Sequence, residues 1–156
     1  MKEILWIYST SAAGKETFIK SLLKDADLRK ALLPGKSNIA ISEESLRSLG
    51  KLDNSRKAVV DEVLALAVLN DIIIIKWQYG DTLLNTPNLL LEALPDFRHR
   101  VIKLQVSREA QVKRLRTKSW WHDIGDESEF IEKETKLVEE SIQQLNSAFV
   151  IERYDW

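Results

Sequence analysis

The stretch ILWIYSTSAAGKETFIKSLL, residues 4–23, decides the fold. Ile4 to Tyr8 are apolar or aromatic without alternation, the pattern of a short strand buried on both faces. Ser9 to Gly14 are all small, which makes a loop whose backbone can come close to another group. From Lys15 the period becomes helical. Phe18, Ile19, Leu22, Leu23 and Ala26 recur on one face, and a helix is expected to about Leu33, where Pro34-Gly35 stops it. Strand, small-residue loop and helix thus follow one another at the start of the chain.

Further along, the same alternation repeats. Asn38 to Ser42 reads as a second strand, and Ser42 with Glu43, Glu44 and Ser45 as the start of a short helix ending at Gly50. Asp53 or Asn54 is expected to cap the next helix, with Ala58, Val59, Val63, Leu66, Ala67 and Leu69 apolar. The run DIIIIKW places four consecutive isoleucines at 72–75. It reads as a central strand of a parallel sheet covered on both faces. One or two helical turns (Asn88 to Ala93) lie between Thr86-Pro87 and Leu94-Pro95. Val101 to Val106 forms a strand, Ser107 caps a helix with Val112 and Leu115 inward, Phe130 to Leu145 is helical, and Phe149 to Ile151 is the last strand. His99 is placed just before its strand, at the rim away from the ligand.

Five strands alternating with helices predict a doubly wound α/β domain: a three-layer sandwich on a five-stranded parallel sheet with right-handed crossovers. No repeat, linker or low-complexity tract divides the chain, so one domain over 1–156 is expected.

Composition narrows the function classes. The 156 residues carry 23 basic and 24 acidic side chains, a formal net charge of −1, which argues against a dedicated nucleic-acid binder. There is no cysteine, which excludes thiolate metal sites, disulfides and cysteine nucleophiles. With only His99 and His122 available, a structural zinc site is not expected. The apolar run at Ile4–Tyr8 is too short for a secretory signal, and Asn70 and Asp71 interrupt the longest apolar stretch. The expected setting is the cytoplasm, with no membrane association and a monomer or homodimer as the state.

The loop Ser9-Thr10-Ser11-Ala12-Ala13-Gly14-Lys15-Glu16-Thr17 resembles the P-loop motif G-x-x-x-x-G-K-[ST] in its strand–loop–helix setting. In that motif successive backbone N–H groups surround phosphate oxygens, the lysine adds charge beside the outer phosphates, and the helix N-terminus favours anions. Two positions depart from it. Ser9 stands at the usual first glycine, and Glu16 replaces the hydroxyl residue that touches magnesium, with Thr17 one position later. The segment VIKLQVSREAQVKRLRTK, residues 101–118, is similar to the late strand, helix and lid arginines of the nucleoside and nucleotide kinase group of the P-loop nucleoside triphosphate hydrolase superfamily.

The resemblance implies a nucleotide-dependent phosphotransferase, with ATP or GTP and Mg²⁺ as cofactors and a small molecule as acceptor. It implies that Ser11, Ala12, Ala13, Gly14, Lys15, Glu16 and Thr17 hold the donor phosphates, with Arg116 beside them. Arg114 and Lys118 are the lid-side cations that neutralise the transferred group, in a lid at 117–128. They share a helix face if the helix extends to Lys118. Glu16 and Asp81 are the candidate metal ligands, Asp81 also a candidate catalytic acid, because Lys76 stands where an acid usually follows the central strand. Glu43, Arg47 and Arg56, with Trp77, Gln78 and Tyr79 beyond the isoleucine strand, are candidate acceptor contacts. Trp120 and Trp121 either stack on a base or pack the lid, and His122 is either a base or a surface residue. Two other functions stay open: a nucleotide-binding regulatory protein without transfer, supported by Glu16 and Lys76, and a nucleoside triphosphate hydrolase.

Overall fold

The computed structural model describes residues 1–42, 55–76 and 86–156. In chain order these form β1 (Glu3–Tyr8), α1 (Lys15–Lys24), α2 (Ala26–Leu32), β2 (Ile39–Ser42), α3 (Ser55–Ala67), β3 (Ile72–Lys76) and α4 (Thr86–Ala93). They continue with β4 (Arg98–Gln105), α5 (Arg108–Leu115), a 3-10 turn (Trp121–Asp123), α6 (Glu127–Gln143) and β5 (Val150–Asp155). The strands make one sheet in the order β2-β3-β1-β4-β5, and every neighbouring pair is parallel. This is the predicted three-layer α/β sandwich on a five-stranded parallel sheet, consistent with the P-loop nucleoside triphosphate hydrolase fold.

The two unalternating runs occupy the middle of that sheet. β1 is buried at all six positions and Ile72 to Ile75 at all four, because helices cover both faces. Side chains of opposite parity then supply two separate cores. Ile4, Trp6, Tyr8, Ile73 and Ile75 pack with Val59 and Val63 of α3, Leu90 of α4, and Val138 and Ile142 of α6. Leu5, Ile7, Ile72 and Ile74 pack with Phe18, Ile19 and Leu22 of α1 on the other face.

Among the boundaries that differ from the sequence reading, including a last strand that runs on from Ile151 to Asp155, three bear on residues singled out above. The helix expected from Lys15 to Leu33 is two helices. Asp25 leaves the helical region (φ −94°, ψ 107°), and its carboxylate accepts from the N–H groups of Asp27 and Leu28, at 2.9 and 3.2 Å. An aspartate that caps a new helix ends the old one. Second, β4 starts at Arg98, so buried His99 lies within the strand and not before it. Its Nε2 donates to the Leu94 carbonyl at 2.8 Å, its ring meets Phe149 edge-on, and burial lowers its pKa. Third, α5 ends at Leu115, so Arg114 and Lys118 do not share a helix face. The expected cap at Asp53 or Asn54 and the short helix from Ser42 to Gly50 lie outside the described residues.

Polar side chains fix the ends of the sheet. At the N-terminal rim buried Arg100 donates to Glu3 at 3.2 Å, to Glu152 at 2.7 Å and to the Leu32 carbonyl at 2.9 Å. Arg98 adds a second cation on Glu3, 3.2 Å away. Glu139 seats α6 on the sheet, accepting from Arg153 at 2.8 and 2.9 Å and from Lys103 at 2.7 Å. Its pKa falls to about 2, mainly through the Arg153 hydrogen bonds, with Lys103 adding to them against the cost of burial.

A carboxyl whose pKa is depressed by folding stabilises the fold above its unfolded pKa and loses that contribution as pH falls through the folded value. Glu139→Gln is therefore expected to cost about 1 to 2 kcal/mol at pH 7, after screening at a partly exposed site. Urea melts across the acid range should show the difference from the parent vanishing as pH falls from 4.5 towards 2.

Candidate functional site

The chain leaves β1 at Tyr8 and turns directly above the sheet. Ala12 takes φ 60° and Gly14 φ 83°, both left-handed, and the Ala13 N–H returns to the Thr10 carbonyl. Gly14 is the N-cap of α1, with no side chain capping that end. Residues 9–17 and Lys118 line a cleft of about 350 Å³. Ser9 is buried, and its hydroxyl finds no hydrogen-bond partner among the described residues. A concave loop of small residues at a helix N-terminus, with lysines at 15 and 118, is suited chemically to an anion with several oxygens.

The loop's shape is imposed from outside. From α5, Gln111 Nε2 donates to Thr10 Oγ1 at 2.8 Å and to the Ser11 carbonyl at 3.2 Å. Arg114 Nη1 donates to the Ala13 carbonyl at 2.8 Å. From α6, the buried carboxylate of Glu134 accepts from the Ser11 N–H. Burial raises the Glu134 pKa, opposed by the Ser11 hydrogen bonds and by the charge of Lys15. A Cβ on Gly14 would meet Arg114 Nη1 at 2.9 Å and the Trp156 indole nitrogen at 3.0 Å. Trp156 is held there by its own N–H on the Gln105 carbonyl and by an edge-on contact with Phe18.

Of the residues singled out from sequence, Ser11, Ala12, Ala13, Gly14, Lys15, Glu16, Thr17 and Lys118 come together around the cleft. Arg114 grips the loop from behind. Arg116 does not line the cleft. It forms a two-pronged pair with Glu127 at 2.9 and 3.0 Å, which ties the segment after α5 to the start of α6. That pairing raises the Arg116 pKa and lowers that of Glu127. In the segment read as a lid, Trp120 packs at 6.0 Å from the Phe130 ring, and Trp121 lies against His122. Glu43, Arg47, Trp77, Gln78, Tyr79 and Asp81 lie outside the described residues, as does the side chain of Arg56.

Glu16 is exposed but already faces a cation. Its Oε1 lies 3.5 Å from Lys76 Nζ at the end of β3, and among the described residues no cluster of three or more His, Asp or Glu could hold a metal ion. Glu16 is the one carboxylate among the described residues lining the cleft, and it faces Lys76.

Gln111, Glu134 and Trp156 were not anticipated as site residues. Two of them carry a signal. Gln111 precedes Arg114 by three positions, the spacing of one helix face. Glu134 falls on the inward stripe with Ile131, Val138 and Ile142, and an acid at a core position asks for a partner.

Two substitutions test this geometry. Gly14→Ala meets both a left-handed φ and two close neighbours, and should cost about 1 to 2 kcal/mol in urea melts through the backbone strain alone. Glu134→Gln keeps an acceptor for Ser11 and removes the charge. Because folding raises the Glu134 pKa, the parent loses stability as pH rises above the unfolded value, and the glutamine variant does not. The variant's Tm relative to the parent should therefore be higher at pH 8 than at pH 4.

No family model and no curated protein matches the chain. Among solved structures, a deoxyadenosine kinase from M. mycoides with the products dCMP and dCDP is 17% identical, covering 97% of this chain and 89% of that one at a TM-score of 0.48. The same kinase with bound dATP is 19% identical, covering 97% and 90% at a TM-score of 0.46. A thymidylate kinase from Candida albicans is 15% identical, covering 99% and 84% at a TM-score of 0.44. At such identities and scores the fold assignment rests on the strand order and the loop described above, not on these likenesses.

Proposed function

We propose that residues 9–17 hold the phosphate chain of ATP or GTP, and that the protein transfers a phosphoryl group to a small acceptor such as a nucleoside or nucleotide. The observation that carries this reading is the loop itself: small residues, a left-handed Gly14 as N-cap, and Lys15 opening α1 at the C-terminal end of a central parallel strand. Ligands of open parallel α/β sheets bind beyond that edge.

In this reading an acceptor oxygen bonds to the γ-phosphorus as the bond to the β–γ bridging oxygen breaks, and charge spreads over the three equatorial oxygens. The protein's part is positioning and charge. Lys15 sits beside the outer phosphates, Lys118 faces the transferred group across the cleft, and Thr17 supports the loop. Arg114 and Gln111 hold the loop's carbonyls, so the anion is met by N–H groups other than those of Ser11 and Ala13, which bond Glu134 and Thr10. Acceptor recognition is assigned to Trp77, Gln78 and Tyr79 with Glu43, Arg47 and Arg56.

A second reading, nucleotide binding without transfer, draws on the Glu16–Lys76 pair. A panel of nucleosides and nucleotides with labelled ATP separates the two, since only the first yields phosphorylated acceptor.

Lys15→Ala should weaken ATP binding at least about tenfold, the scale of one lost charge-assisted contact, as measured by isothermal titration. A folded variant that binds ATP as the parent does would remove the loop from the mechanism.

A further inference from the structure

A divalent cation beside a phosphate loop is held by oxygen donors, and the edge of this sheet carries the reverse polarity. The residue after Lys15 is the carboxylate of Glu16, and β3, the immediate neighbour of β1, ends in an ammonium at Lys76. Lys76 Nζ lies 3.5 Å from Glu16 Oε1. An ammonium has three donors and no acceptor, so it repels the ion that an acid at this strand end would hold.

Stability does not account for the pair. The Glu16 side chain is 73% exposed and that of Lys76 23%, and ion pairs with one side open to water contribute little. What the arrangement does is keep a mostly buried cation 3.5 Å from Glu16, an exposed carboxylate that lines the cleft. Lys15 and Lys118 line the same cleft as Glu16, and Lys76 stands behind Glu16 through the 3.5 Å contact.

We infer that this loop takes its nucleotide as the metal-free polyphosphate anion, with Lys76 supplying the charge and Glu16 serving as the counter-ion that the phosphate displaces. The inference rests on the reading of residues 9–17 as a phosphate site. It assigns opposite duties to the two halves of one ion pair. Lys76 attracts the ligand, and Glu16 competes with it.

The experiment is isothermal titration of the full chain with ATP in EDTA and again in magnesium. ATP should bind in EDTA, and excess magnesium should weaken the apparent affinity, because the ion sequesters the free polyphosphate that the cleft takes. Binding that requires magnesium would overturn the inference and leave the phosphate-loop reading standing. Absence of binding in both series would overturn both. In EDTA, Lys76→Met should weaken ATP binding about tenfold, and Glu16→Gln should strengthen it severalfold. A merely structural pair would move both variants in the same direction, which would also overturn the inference. The parent titrations need no substitution, so a variant that misfolds leaves the test intact.

Discussion

The left-handed turn at Gly14 is the constraint on which the rest of the site depends. It lets the chain leave a fully buried strand and enter a helix within a few residues, with no side chain capping the helix's N-terminus. Left alone, such a loop has many conformations of similar energy, and Ala12 at positive φ adds strain to this one. The surrounding helices remove that freedom. Gln111 and Arg114 of α5 take its carbonyls, Glu134 of α6 takes the Ser11 N–H, and Trp156 closes against Gly14. Each of these residues is far from the loop in sequence, so its shape is a product of the whole sheet.

The way the loop is held also sorts its backbone groups by role. The Gln111 amide bonds the Ser11 carbonyl and the Arg114 guanidinium the Ala13 carbonyl, and a carboxylate bonds one N–H. The remaining N–H groups of the first helical turn keep no side-chain cap. On the proposed phosphate reading, a loop held this way leaves little ordering to oppose binding.

Much of the fold was legible because it rests on short-range patterns. Ile4 to Tyr8 and Ile72 to Ile75 lack alternation, and a strand can afford that only in the centre of a covered parallel sheet. Ser107 read as a cap and is one, accepting from the Ala110 N–H at 3.2 Å. The break at Asp25 was hidden because apolar residues continue at helical spacing past it, and the capping bond that ends the helix outweighs that pattern. The loop and Lys118 were legible from motif, whereas the shared helix face expected for Arg114 and Lys118 fails because the helix ends at Leu115. Gln111 and Glu134 were harder, since their partners are backbone groups about a hundred residues away. The place of Trp156 depends on the register of β5 against β4, which no local pattern encodes.

The two ends of the strands have different occupations. The buried Arg100, shared between Glu3 and Glu152, lies at the rim where the strands begin, and the cleft lies where they finish. A strand of six residues separates such points by roughly 20 Å, beyond the distance over which substitutions couple. Robustness and chemistry are thus held in separate places. The N-terminal rim is a surface on which this chain can drift, or be engineered, for heat or acid tolerance while the geometry at Gly14 stays as it is.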